Sequence, residues 1–376
     1  MKKSVKIAVI VIISLAAVLT AAYFVLSLCV QRLADSGEFS RADELMFVPN
    51  TESQMSAYIA AGIEYENGNY DAAYGIFYAL GDYRLSEDYA HESLYLYAKQ
   101  LTDEYEFDAA CGLYAKLADI EYKDSKAKVT ETRIAEGSYL CQTKRYSDAA
   151  KLFTALADEG CEGADDMVKD TLCKWARSLI NSKDYITAYS KICDAGDYPG
   201  TDDLHKEIIS LMYDEGVLEY RRGHYEEAQE YFEILPTDYG DSDKYRMLIN
   251  VHTAEDGYSS YYDEIVEMLG FEDTADMLMS DSYIAITFLK GRWYDDDGYI
   301  KLDCSMHGFR CYIKNRQAGR SYITIQNGYV YAYNMNESGE MVDVVKDLRL
   351  TIIDHDTLSV HSYANGKDVV IRRKAL

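Results

Sequence analysis

The stretch Tyr225-Glu-Glu-Ala228-Gln-Glu-Tyr-Phe232-Glu-Ile-Leu235 decides the architecture. Its aromatic, small and apolar residues stand at offsets 0, 3, 7 and 10, which places Tyr225, Ala228, Phe232 and Leu235 on one face of an α-helix. That face must be buried against a neighbour. The same spacing recurs at Phe39/Ala42/Met46, Tyr70/Ala73/Phe77/Leu80, Phe107/Ala110/Tyr114/Leu117, Tyr146/Ala149/Phe153/Leu156 and Tyr185/Ala188/Ile192. The leading aromatics are 31, 37, 39, 39 and 40 residues apart, a period that predicts stacked units, none of which buries its face alone.

Upstream of each leading aromatic lies a second helical segment, such as Met212 to Gly223 or Arg133 to Leu140, so each unit is expected to be a helical hairpin. Gly137, Ala176 and Gly216 are small where two helices would cross. The pattern resembles the tetratricopeptide repeat: Gly216, Gly223, Tyr225, Ala228, Phe232 and Leu235 fall on that family's spacing, as do Gly137, Tyr146, Ala149, Phe153 and Leu156. The resemblance covers roughly residues 30–270 and implies an α-solenoid whose first helices line a concave groove. On that register Tyr58, Tyr65, Tyr95, Lys99, Arg177, Tyr213 and Tyr220 are the candidate partner-binding residues, suited to an extended peptide or a glycan through stacking and edge hydrogen bonds. The competing expectation is that these tyrosines pack between units.

The family's proline at the end of the second helix is missing here, and longer turns replace it: Gly81 to Ser86, Glu121 to Ser125, Gly196 to Thr201 and Asp238 to Ser242. In them Gly is expected to end a helix, Asp to turn the chain, and Ser or Thr to cap the next helix by accepting from its free N–H groups. Near Tyr258 to Leu269 the small residue has become Tyr262, which reads as a degenerate terminal cap.

Met1-Lys-Lys-Ser-Val-Lys6 precedes an uncharged apolar run from Ile7 to Val30, long enough to cross the ~30 Å hydrocarbon layer as a helix. Lys2, Lys3 and Lys6 lie before the run, while Asp35, Glu38, Asp43 and Glu44 follow it. The positive-inside rule then places the tail in the cytoplasm and the bulk of the chain outside, as a single-pass protein of the cell membrane, with a bacterial envelope suiting the resemblance. Thr20-Ala21-Ala22 would suit a cleaved leader, but the apolar run continues through Cys29-Val30. Leu28 stands before Cys29, where a lipoprotein cleavage box needs a small residue. With Phe39 and Ala42 in register, the end of the span serves as the first helix of the first unit, so no flexible linker is expected between them.

From about Leu289 the hydrophobic period changes to two. Candidate strands are Tyr299–Cys304, Phe309–Ile313, Ser321–Gln326, Tyr329–Asn334, Leu348–Ile353, Thr357–Tyr363 and Asp368–Arg373, with Asn327-Gly328 a strong hairpin signal. Gly291-Arg-Trp293 together with Arg372 or Arg373 is similar to the opening Gly-x-Trp and closing Arg of lipocalins, although fewer than 90 residues follow. The fold class is therefore α+β in separate domains: a cytoplasmic tail at 1–6, a transmembrane helix at 7–30, a tetratricopeptide-like array at 31–288 and an antiparallel β-barrel or sandwich at 289–376.

The formal charge of −26 makes nucleic acid a poor partner. Residues 290–376 carry 13 basic and 11 acidic groups, leaving 25 against 53 for residues 1–289. Seven histidines form no metal-ligand spacing and accompany no nucleophile motif, so neither catalysis, metal nor cofactor is expected. Asp295-Asp-Asp297 and Asp354-His-Asp356 read as solvated acidic turns rather than Ca²⁺ loops. Of eight cysteines, Cys304 and Cys311 are the pair expected to face each other across a hairpin turning at His307-Gly308, within disulfide reach. The expected function is a non-enzymatic, membrane-anchored scaffold that binds envelope proteins or peptides. The alternative is a small-ligand or wall-glycan binder with its site in the β domain and the helices as spacer.

Overall fold

The apolar N-terminal run folds as one unbroken helix, α1 (Lys2–Asp35). Its segment Lys6–Asp35 is long and apolar enough to cross a membrane. The computed structural model describes residues 2–46, 53–255, 257–280, 282–305, 308–313, 316–317, 321–335 and 341–374. They form two compact units, Met1–Asp202 and Asp203–Leu376.

The first unit carries α1, α2 (Phe39–Glu44), α3 (Ser53–Glu66), α4 (Tyr70–Leu80), α5 (Ser86–Asp103), α6 (Phe107–Asp119), α7 (Ser125–Gln142), α8 (Tyr146–Asp158), α9 (Ala164–Asn181) and α10 (Tyr185–Ala195). From α3 to α9 each helix packs on the one before it and the one after it. Every leading aromatic of the sequence pattern is the first residue of a helix: Phe39, Tyr70, Phe107, Tyr146 and Tyr185 here, and Tyr225 in the second unit. The small residue three positions on (Ala42, Ala73, Ala110, Ala149, Ala188, Ala228) is fully buried each time. A larger side chain there would have to displace the facing helix.

The distal end of α1 is part of this packing. Val30 and Ala34 are buried in one cluster with Phe39, Ala42, Met55 and Tyr58, and Asp35 pairs with Arg84. The Glu66 carboxylate of α3 accepts from the Phe39 and Ser40 N–H groups (2.9 and 3.1 Å), satisfying donors that the start of α2 leaves without helical partners. Gly137 sits where Phe153 crosses: an added Cβ would lie 2.4 Å from the ring. At Gly216 the same atom would meet Phe232 at 3.1 Å, and at Gly62 it would meet Phe39 at 2.0 Å.

The turn hydroxyls do not cap the helices as expected. Ser125 Oγ donates to the Tyr122 carbonyl (2.6 Å), Thr201 Oγ1 to Tyr198 (2.7 Å) and Ser242 Oγ to Tyr239 (2.6 Å), while the backbone N–H of the same residue reaches that same carbonyl. Thr274 repeats the device on Phe271 (2.8 Å). These residues are buried first residues of their helices, and a buried hydroxyl hydrogen needs an acceptor that the preceding turn supplies.

The second unit holds α11 (Thr201–Arg222, entering at Asp203), α12 (Tyr225–Ile234), α13 (Ser242–Thr253), a 3₁₀ turn (Tyr258–Tyr261), α14 (Tyr262–Glu267), α15 (Thr274–Leu278), α16 (Ser282–Leu289) and a curled antiparallel sheet. Its strands are β1 (Gly291–Tyr294), β2 (Ile300–Ser305), β3 (Gly308–Ile313), β4 (Arg316–Gln317), β5 (Ser321–Gln326), β6 (Tyr329–Met335), β7 (Met341–Asp354), β8 (Thr357–Ser362) and β9 (Lys367–Arg373). The order is β2-β1-β9-β8-β7-β6-β5-β3-β4, with β2 also pairing β3. Asn327-Gly328 joins β5 to β6 with positive φ at both residues (49° and 76°), the backbone that tight hairpin turns demand.

Trp293 and Arg373, singled out in the sequence, are directly paired between β1 and β9. The guanidinium lies 4.5 Å from the centre of the buried indole, and the indole N–H donates to the Leu289 carbonyl (2.8 Å). Ser282 of α16 bonds both the N–H and the carbonyl of Ile325, so α16 is fastened to the sheet. The β2–β3 register sets Cys304 opposite Phe309 and Cys311 opposite Leu302, which corrects the expectation of two directly facing cysteines. The hairpin turns two residues' worth of register earlier, and the side chain of Cys311 lies outside the described residues.

Two outcomes are expected. Gly62→Ala and Gly137→Ala should each lower stability by about 1–3 kcal/mol through overpacking. In contrast, Gly75→Ala and Gly112→Ala, whose added Cβ meets nothing, should raise it by about 0.5–1 kcal/mol; denaturant unfolding of the four variants checks the sign at each site. Limited proteolysis of the full chain should leave the segment 28–40 intact, and fragments cut within it would remove the rigid continuation of α1 into the helical packing.

Candidate functional site

The seven residues selected from the sequence divide sharply once their surroundings are known. Tyr58 of α3 is fully buried and meets the rings of Phe77 and Tyr83 edge-on, at 5.7 and 6.0 Å between centroids. Tyr95 of α5 makes the equivalent contacts with Tyr114 (5.4 Å) and Tyr122 (6.3 Å), and Tyr213 of α11 makes them with Phe232 (6.0 Å) and Tyr239 (5.6 Å). In each case a first-helix tyrosine touches the aromatic of the second helix and the tyrosine of the turn that follows. Such edge-to-face pairs are worth about 0.5–1.5 kcal/mol beyond the area they bury.

The hydroxyls of Tyr95 and Tyr213 are used as well, whereas Tyr58 Oη is buried without a hydrogen-bond partner among the described residues. Tyr95 Oη donates to Asp124 Oδ1 (2.8 Å), with the Lys123 ammonium 4.8 Å from its ring centre. Tyr213 Oη accepts from the Asp241 N–H (3.2 Å). Tyr65 of α3 is half-buried, edge-on to Tyr70 and Tyr89. Tyr220 is buried at the centre of a polar knot: its hydroxyl bonds Asp273 and lies 3.1 Å from His252 Nε2, which itself meets Asp273 Oδ2 at 2.9 Å. The Tyr225 ring stacks on His252 at 4.1 Å, and Tyr258 Oη reaches His252 Nδ1 at 3.2 Å. Tyr58 and Tyr220 are thus interior groups, which corrects their placement on a groove surface; a ring this closely surrounded has no face left for a partner.

Burial sets the titration of these groups. Desolvation, with neighbouring Tyr89 adding to it, pushes the Tyr58 phenol up to about 12. Desolvation and the bond to Asp124 bring Tyr95 to about 12, and desolvation does the same for Tyr114. Tyr220, Tyr122 and Tyr245 are raised by desolvation and then by their carboxylate partners. Burial works to raise the Asp273 carboxyl, but hydrogen bonds from His252 and Tyr220 outweigh it and hold Asp273 below its ordinary value.

Among the described residues, open hollows lie between first helices. A hollow of about 450 Å³ separates α5 from α7 and is lined by Tyr95, Lys99, Thr102, Lys128, Glu131 and Thr132. Another of about 310 Å³ separates α7 from α9, with Ser138, Cys141, Asp170, Thr171 and Lys174 on its walls. In the second unit a hollow of about 490 Å³ lies beside α11, lined by Tyr213, Leu218, Arg221 and Glu272 among others. Each contains an ion pair across its wall: Lys128–Glu131 (2.5 Å), Lys174–Asp170 (2.7 Å) and Arg221–Glu272 (2.7 Å).

Lys99 is exposed at the α5/α7 hollow and has no ion-pair partner among the described residues. Arg177 is exposed on α9 but lines none of the three. The structure therefore brings Tyr95 and Lys99 together, leaves Arg177 apart, and adds Lys128, Glu131, Thr132 and Lys174, which the spacing argument passed over. Their signal was present: each stands on the first-helix face one turn from a residue already chosen or on the next first helix.

The acidic turns are internally satisfied. Asp295 Oδ1 accepts from the Tyr299 N–H (2.9 Å) and the carboxylate pairs with Lys301 (2.9 Å), while Asp354 accepts from the Asp356 N–H (2.9 Å). Among the described residues no three His, Cys, Asp or Glu side chains stand together in a way that could hold a metal ion.

The raised phenols set an alkaline limit on stability. A group that keeps its proton to higher pH when folded contributes stability that is complete below the unfolded value near 10 and is lost as pH rises through the folded value. For Tyr58, Tyr95 and Tyr114 the window is therefore from about 10 to about 12. Titration followed by tyrosinate absorbance and by circular dichroism should show a late group of phenols ionising together with loss of helix. Ionisation of every tyrosine near 10 with the helix intact would contradict this.

Comparison with known proteins finds no family model that matches the chain and no curated protein similar to it.

Proposed function

We propose that this protein is a non-enzymatic, membrane-anchored scaffold that binds an extended segment of another protein along the faces of its first helices. The helices are read as a tetratricopeptide-like solenoid, a reading supported by the recurring Ala positions, Gly–Phe crossings and three-ring contacts. The observation that carries the binding role is the pair of hollows on consecutive first helices, α5/α7 and α7/α9. Both are open and set hydroxyls and charged groups beside apolar walls, Leu96 and Tyr114 in one and Ile134, Phe153 and Met167 in the other, a lining that suits an extended backbone carrying both polar and apolar side chains. In this reading α1 crosses the membrane with its lysine-bearing end in the cytoplasm, and the helices and sheet stand outside, where partners are other envelope proteins. The curled sheet is read as a small terminal barrel, a reading supported by the β2–β3 ladder.

The rigid passage of α1 into the helical packing suits a scaffold, because it fixes the height of the binding face above the bilayer. Binding at such a surface is governed by a few well-placed groups rather than by area. Lys99 is the first of these.

The test is crosslinking in intact membranes followed by purification. Lys99→Glu should lower recovery of crosslinked partners about tenfold, the effect of losing one charged hydrogen bond, while Arg177→Glu leaves it unchanged, both with the wild-type unfolding transition. Equal recovery from the wild type and Lys99→Glu would remove the hollow from the function.

A further inference from the structure

The outer face of β6, β7 and β8 carries an arrangement that the scaffold role does not use. The Lys346 ammonium lies 4.1 Å from the centre of the Tyr329 ring, and the Arg349 guanidinium lies 5.6 Å from the same centre. Tyr329 and Arg349 are direct cross-strand partners, and the register continues through His361 of β8 to Asp368 of β9. Tyr363 stacks beside Tyr329 with its centroid at 6.4 Å, and His361 meets Tyr363 edge-on at 4.9 Å. Tyr363 is 47% exposed.

Lys346 and Arg349 are both exposed, and among the described residues neither has an ion-pair partner. Among the described residues, Asp368 on this face is bonded to His361 Nδ1 (2.9 Å). Two positive charges held over one ring are no more than about 10 Å apart, about one screening length at physiological salt, so they repel each other. The fold tolerates this on a chain whose net charge is −26, where unpaired carboxylates are plentiful. The cation–π contacts fix both heads in place, so an arriving anion need not order them.

We infer that this face is a binding site for an anionic glycan. Its carboxylates or phosphates would pair with Lys346 and Arg349, a sugar ring would lie on the free side of Tyr363, and the hydroxyls of Thr351 and Ser359, partners in the next outward row of β7 and β8, would meet sugar hydroxyls. A sugar chain with separated charges fits two separated cations. The acidic remainder of the molecule opposes a densely charged polymer such as nucleic acid, whose affinity rests on many phosphate contacts. A bilayer of anionic lipid would need apolar side chains around the cations, and the row that holds Lys346, Arg349, His361 and Tyr363 offers aromatic edges and polar groups instead.

The experiment uses the full chain in phosphatidylcholine nanodiscs, titrated calorimetrically with polygalacturonate and with neutral dextran, and separately sedimented with phosphatidylglycerol vesicles. Polygalacturonate should bind and dextran should bind far more weakly. The double variant Lys346→Gln/Arg349→Gln should lose at least about tenfold in affinity, as expected from losing two charged hydrogen bonds. Tyr363→Ala should weaken binding with no change in its salt dependence. The exchange Lys346→Arg/Arg349→Lys should retain binding. Circular dichroism and melting of each variant should match the wild type, since all three side chains are exposed. The site is overturned if polygalacturonate fails to bind, if the double glutamine variant binds as the wild type does, if the exchange variant loses binding equally, or if only phosphatidylglycerol vesicles are held.

Discussion

The helical part depends on one contact: a tyrosine of a first helix, edge-on to the aromatic of the second helix and to the tyrosine of the turn behind it. Tyr58, Tyr95 and Tyr213 each occupy that place. At two of these places a phenol does what phenylalanine would leave undone, because its ring fills the gap between helices while its hydroxyl reaches a polar group at the rim. Tyr95 reaches Asp124 and Tyr213 reaches the Asp241 N–H. Two of the three phenols thereby avoid a stranded buried oxygen, whereas Tyr58 Oη is buried without a hydrogen-bond partner among the described residues. The turn serine belongs to the same device, since its hydroxyl bonds the carbonyl of the turn tyrosine and holds that residue against the stack.

The proposed binding surface is thereby moved off the buried tyrosines and onto what lies between them. The rings close the interior, and the spaces left between first helices set lysines, carboxylates and threonines beside apolar side chains such as Leu96 and Met167. Tyr220 illustrates the shift: placed on a groove by spacing alone, it proves to be bonded to Asp273 and His252 from elements 53 and 32 residues away. A hub of that kind orders the end of the helical packing and offers no surface. The sheet follows a different economy, with Trp293 and Arg373 paired inside and Lys346 and Arg349 held outside on Tyr329.

Much of the fold was legible. Each leading aromatic begins a helix because the pattern that marks it is the helical period itself, and the change of period near Leu289 marks the end of α16 and the start of the strands. Asn327-Gly328 forms its turn because few other residue pairs accept positive φ twice in succession. Strand β1 was legible only as a Gly-x-Trp motif, being too short at four residues to show alternation. The cysteine register was misjudged by two residues because both registers keep the same residues on each face, so the period-two signal cannot separate them.

The sequence by itself determined where the recurring helices begin, the long apolar N-terminal helix and its unbroken passage into the helical packing, and the presence of a C-terminal antiparallel sheet, since all of these are carried by local periodicity and residue size. The tertiary structure alone decided which tyrosines are interior, which lysine faces a hollow and which cations stand unpaired on the sheet. Those properties depend on residues brought together from distant points in the chain, and the strip Tyr225 to Leu235 says only that a neighbour must exist. Where His252 lies against Tyr225, or where Arg349 lies against Tyr329, is fixed by the packing of whole elements.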